Sequence, residues 1–153
     1  MPETPAADHE RGYTLTRTFD APRALVWQAI SQPDLFARWW GAEAAGVDVH
    51  QWDLEPGGLW RATMHVLGND IPWSGRFEEV DEPERLVFVV TDEAEVGDAF
   101  ELMTFTLTEA GGKTDLVVRQ SGGSLSDAEY GEAKKGTGRF VDTLADVVAD
   151  LRS

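Results

Sequence analysis

The chain of 153 residues contains no cysteine. Disulfides, thiolate-held metals and cysteine nucleophiles are therefore excluded, and the fold rests on buried apolar surface. Basic residues are scarce: 13 Lys and Arg stand against 28 Asp and Glu, a formal net charge of −15. Phosphate backbones and anionic bilayers are held by neutralising cations, so neither nucleic acid nor a membrane is an expected partner. The excess acid serves solubility, with a specific cationic partner as the alternative. No apolar run approaches the roughly 20 residues needed to span a bilayer. The opening, Met1 to Gly12, is rich in Pro, Ala and acid and lacks the apolar core of a secretory signal. It reads as a short disordered tail before a single domain, 13–153, and the expected compartment is the cytoplasm.

Chemical signatures are also few. The three histidines are His9 in the tail and His50 and His65 on separate expected strands. None has a helix-spaced carboxylate or second histidine, so neither a metal nor a cofactor is expected. Gly111-Gly-Lys-Thr114 invites a phosphate-loop reading, but that motif needs a glycine where Leu107 stands, and a helix to follow. A hairpin turn is expected there instead. No serine lies in a G-x-S-x-G elbow, and no acid–base pair stands out, so no catalytic residue is assigned.

What is present is a clear change of period. Tyr13 to Phe19 alternates as a strand. Asp20 offers an N-cap and Pro22 a first turn for a helix through Ile30, and Ser31-Gln-Pro33-Asp opens a second short helix ending at Trp39-Trp40-Gly41. Six strands follow: Val47–Leu54, Leu59–Leu67, Ile71–Val80, Leu86–Thr91, Ala99–Thr108 and Asp115–Gln120. Glu55-Pro-Gly-Gly58, Gly68-Asn-Asp70, Glu82-Pro83 and Ala110-Gly-Gly-Lys113 supply turns between them, the pattern of an antiparallel meander. Ser126 and Glu129 then form a capping box, and Phe140, Val141, Leu144, Val147, Val148 and Leu151 recur at helical spacing. The expected fold class is α+β: about seven antiparallel strands wrapped around a helix of roughly 20–25 residues.

Specific runs carry a family resemblance. Phe19-Asp-Ala-Pro-Arg-Ala-Leu-Val-Trp27, then Pro33-Asp-Leu-Phe-Ala-Arg-Trp-Trp-Gly41, resemble the opening of bacterial homologues of the heat-shock-protein-90 ATPase activator. Asp53-Leu-Glu-Pro-Gly-Gly58 with Trp60, Gly75-Arg-Phe-Glu-Glu-Val80, Pro83-Glu-Arg-Leu-Val-Phe88 and Gly112-Lys-Thr114 extend it in the same order. That family belongs to the START-like, helix-grip (SRPBCC) superfamily, which implies a sheet gripping a C-terminal helix around a pocket.

Six tryptophans are many for a chain of this length, since ordinary cores prefer Leu, Ile and Val. Strand parity puts Trp60 with Met64, Trp73 with Phe77, and Met103 with Phe105 on single faces, with Phe88 on the strand between. Phe140 faces them from the helix, and Gly136, one turn earlier, leaves space above the sheet. These nine residues are the expected ligand-binding set, with Arg17, Arg61, His65, Arg119 and Gln120 as candidate polar anchors. The expected function is binding of a small apolar molecule without chemistry. Two alternatives stay open: a polyketide-cyclase- or hydrolase-like enzyme using the same cavity, and a co-chaperone-like interaction module. A protein partner is possible but not indicated by the sequence.

Overall fold

The computed structural model describes residues 11–40, 46–93, 96–97, 100–123 and 125–152. Most of the expected tail lies outside them, and strand β1 (Gly12–Phe19) takes its last residue. Helices α1 (Arg23–Ser31) and α2 (Pro33–Trp39) follow, then strands β2 (Gly46–Trp52), β3 (Leu59–Val66), β4 (Asn69–Asp81), β5 (Arg85–Thr91), β6 (Glu101–Ala110) and β7 (Lys113–Ser121). Helix α3 (Asp127–Arg152) closes the chain with 26 residues, slightly longer than the stripe predicts. The seven strands form one antiparallel sheet in the order β1-β7-β6-β5-β4-β3-β2.

Local chemistry sets most of these boundaries. Gly111 and Gly112 both have positive φ, 62° and 79°, as a two-residue turn matched to strand twist requires, so this segment is a hairpin, as expected. Ser126 and Glu129 bond reciprocally, Ser126 N–H to Glu129 Oε1 at 2.8 Å and Glu129 N–H to Ser126 Oγ at 3.1 Å. The first helix departs from expectation: its N-cap is Pro22, and Asp20 does not cap it. Glu109 does so from the end of β6, accepting from Arg23 N–H at 2.7 Å. Sequence-local reading misses a cap donated across the fold. The β3–β4 turn also falls one residue earlier than expected, at Leu67–Gly68, with Asn69 and Asp70 in β4.

One face of the sheet is inward. Register aligns Phe77, Phe88, Met103, Gln120 and Tyr13 in a row across β4, β5, β6, β7 and β1. A neighbouring row runs from Trp60 through Gly75 and Val90 to Glu101. Helices cover this face. Val26, Trp27, Ala29 and Ile30 of α1, Leu35, Phe36 and Trp39 of α2, and Val141, Leu144, Val147 and Val148 of α3 are buried with the strands in one core. Each such side chain contributes about 1.5–3 kcal/mol of transfer free energy. Ion pairs Arg17–Asp142 at 2.8 Å and Arg38–Asp150 at 2.6 Å pin α3 at its flanks, but partial exposure keeps each near about 1 kcal/mol or less. No helix among the described residues is long and apolar enough to cross a membrane.

Candidate functional site

Helix α2 places Phe36, Trp39 and Trp40 at i, i+3 and i+4, so the three rings share one side. Phe36 is the hub: its centroid lies 5.1 Å from Trp39, 5.0 Å from Trp40, 4.8 Å from Trp52 and 5.4 Å from Trp60. Strand parity adds Phe77, Phe88 and Phe105 from the sheet, with Phe88 stacked on Phe105 at 5.7 Å and edge-on to Trp60 at 5.7 Å. The space these rings enclose with Ile30 and Leu86 has no room for a water molecule. Four of the expected site residues, Trp60, Phe77, Phe88 and Phe105, belong to this closed half.

Of the other five, Trp73 and Phe140 meet Trp40. The Trp40 ring meets Trp73 edge-on at 5.3 Å and Phe140 at 5.1 Å, so β4 and α3 converge on the C-cap of α2. Met103 stands beside Phe88 in register, and Met64 lies two residues beyond Ala62, whose β4 partner is Trp73. Gly136 faces open space: a Cβ there would find only Arg139 Nη2, at 4.0 Å. The indoles divide along a different line, with Trp60 of the closed half joining Trp40 and Trp73. Trp39 donates to Ala29 O at 3.0 Å and Trp52 to Ser31 O at 2.8 Å. Trp40, Trp60 and Trp73 have buried Nε1–H groups with no acceptor among the described residues. The Trp60 ring nitrogen packs against Gly75, where any side chain would overlap it.

Beyond Met103 the inward face turns polar. Thr137 of α3 donates to the Tyr13 hydroxyl (2.6 Å), and Tyr13 donates to Gln120 Oε1 (2.7 Å). Gln120 Nε2 donates to Glu101 Oε1 at 3.1 Å, and Tyr130 donates to the same oxygen at 2.8 Å while accepting from Gly123 N–H at 3.2 Å. Every donor in this chain of bonds points toward Glu101. Burial, opposed by the Thr137 hydrogen bond and assisted by the Glu101 charge, pushes the Tyr13 phenol up to about 12. Sequence reasoning named only Gln120 of this group. The signal for Glu101 was strand parity, because it precedes Met103 and Phe105 by two and four residues and shares their face.

A family model for Activator of Hsp90 ATPase homolog 1-like protein matches residues 20–149. The chain belongs to that family. Solved structures agree on the fold. A protein of Chromobacterium violaceum superposes with a TM-score of 0.79 at 23% identity, over 90% of this chain and 96% of that one. One of Nitrosomonas europaea gives 0.80 at 22%, over 95% and 98%. A solution structure from Arthrobacter aurescens gives 0.81 at 18%, over 91% and 86%. No curated protein matches the chain. The resemblance read from Phe19–Trp27 and the later motifs therefore holds along nearly the whole domain.

On this helix-grip frame the candidate anchors separate by face. Gln120 and Arg17 are on the inward side, Arg17 tied to Asp142. Arg119 is on the opposite face of β7 from Gln120, and its Nη1–H donates to Thr14 Oγ1 at 3.2 Å. Arg61 is exposed on β3. His65, also outward, bridges Asp70 through Nδ1 at 2.6 Å and Asp48 through Nε2 at 2.9 Å. Those bonds, Asp48's first, raise its pKa. An open groove of about 320 Å³ between the end of β1 and the last turns of α3, bordered by Phe19, Val148 and Arg152, lies apart from the aromatic face.

Proposed function

We propose that this family member binds a small, largely apolar molecule between the inner face of its sheet and α3, without chemistry. The observation that carries the reading is the pair of indoles at Trp40 and half-buried Trp73, packed edge to face with buried N–H groups that lack acceptors among the described residues. An unmet buried donor costs about 1–3 kcal/mol, and a ligand bringing an oxygen or a π face would offset it. Met64, Trp73, Met103, Gly136 and Phe140 line the site, and Trp60, Phe77, Phe88 and Phe105 form its closed floor. Entry requires the N-terminal half of α3 to lift, and Gly131, Gly136 and Gly138 weaken that half as a helix.

The test is titration with 1-naphthalenemethanol, followed through the indole N–H resonances. Saturable shifts at Trp40 and Trp73, weakened about tenfold by Gly136→Leu with the melting temperature held or raised, are the expected result. Absence of any indole shift up to about 1 mM, with a destabilised Gly136→Leu protein, would leave an ordinary packed core.

A further inference from the structure

The inward face ends in a carboxylate with no cationic partner among the described residues. Glu101 is half-buried, on the row of Trp60, Gly75 and Val90 and next to Met103's row. Its hydrogen-bond partners, Gln120 and Tyr130, are neutral donors, both at Oε1. Among the described residues no Lys, Arg or His forms an ion pair with it. Neutral donors hold a carboxylate in place but leave its full charge, and a partly dehydrated charge favours a counter-ion. Two aromatic rings stand at the same place. Tyr130 bonds the carboxylate directly, and the Tyr13 ring packs edge to face on the Tyr130 ring, centroids 6.5 Å apart. Rings beside a carboxylate suit an organic cation, through the ring quadrupole as well as the charge. The net charge of −15 concentrates such cations around the molecule.

We infer that the ligand is an amphipathic organic amine, its apolar body among Trp73, Met103 and Phe140 and its cationic head at Glu101, beside the Tyr13–Tyr130 pair. This assignment rests on the ligand-binding reading above and adds the chemical class. Fatty acids and other anionic amphiphiles are disfavoured by the same carboxylate, which would face theirs across an apolar floor.

Three probes with one ring system separate the possibilities: 1-naphthylmethylamine, 1-naphthalenemethanol and 1-naphthoic acid, each titrated calorimetrically. The amine is expected to bind about tenfold more tightly than the alcohol, with the acid weakest. Glu101→Gln should bring the amine down to the alcohol while leaving the alcohol within about twofold. Equal binding of amine and alcohol by the native protein overturns the inference, and so does an amine preference that survives Glu101→Gln, which would mark attraction to the overall charge. In both cases binding of the alcohol leaves the broader reading standing, whereas no binding by any probe removes both. Should Glu101→Gln fail to fold, carbon-detected NMR of the native protein decides: the Glu101 carboxyl resonance must move with the amine and stay with the alcohol. An unmoved Glu101 resonance at saturating amine also overturns the assignment.

Discussion

Gly123 makes room for the carboxylate of Glu101: a Cβ built on the glycine would overlap Oε2 and Cδ of that side chain. The obstructing atoms are the far end of a flexible chain, so a larger residue would be admitted only by moving the carboxylate. Moving it breaks the bonds from Gln120 and Tyr130 together. Gly123→Ala is therefore expected to cost about 1–3 kcal/mol by chemical denaturation. In a Glu101→Ala background most of that cost should vanish, so a double-mutant cycle showing additive effects would contradict the coupling.

Leu67 presents a different conflict. It has φ of 51°, is 94% exposed and stands first in the two-residue turn between β3 and β4. A branched apolar side chain in left-handed backbone costs about 1–2 kcal/mol and here gains almost nothing by burial. Asparagine tolerates that conformation, and Asn-Gly is the preferred pair for such a hairpin. Leu67→Asn should raise stability by about 1 kcal/mol, read as a higher melting temperature.

The pair of carboxylates around His65 predicts a pH dependence. Both ring nitrogens face carboxylate oxygens, so both must donate, and the imidazolium is the favoured form. The folded-state pKa is raised above the ordinary histidine value of 6.5. The associated stability is fully present below the unfolded-state pKa and is lost as pH rises through the folded one. An NMR titration of His65 should give a midpoint above the ordinary histidine value. His65→Asn should remove this component of the pH profile and leave the acid limb unchanged.

Three glycines inside α3 carry no packing reason that would forbid a methyl group. Nothing lies within 4 Å of a Cβ at Gly131 or Gly138, and only a guanidinium nitrogen lies at that distance from Gly136. Replacing Gly131 or Gly138 by alanine should add about 0.5–1 kcal/mol through helix propensity. Hydrogen exchange along 130–140 should slow in the same variants. Unchanged exchange would mean that this half of the helix is already held as firmly as the rest.

The elements were readable because their signals are local. Alternation in Leu59–Val66, the Gly111–Gly112 turn and the Ser126–Glu129 box each act within a few residues. The cap on α1 was not, because Glu109 reaches it from 86 residues away, and Asp20 was the nearer and wrong choice. On the candidate site's aromatic side, the inward placing of Trp60, Phe77, Phe88 and Phe105 followed from strand parity. Its polar side did not, since Tyr13, Glu101, Gln120 and Tyr130 come from four elements and meet only through register and the docking of α3. Trp40 escaped notice for a related reason: its partners Trp73 and Phe140 reach it from a strand and a helix distant in sequence.

The order of strands has a kinetic meaning. From β2 to β7 each strand pairs with its neighbour in sequence, so five of the six ladders can close as short hairpins. The sixth joins β1 to β7, and the bond from Tyr13 to Gln120 spans 107 residues. Closing so long a loop is entropically expensive and is favoured only once its partner edge exists. Chain collapse should therefore begin in the meander and finish with the N-terminal strand. Weakening substitutions in β1 would then speed unfolding and leave the refolding rate nearly untouched.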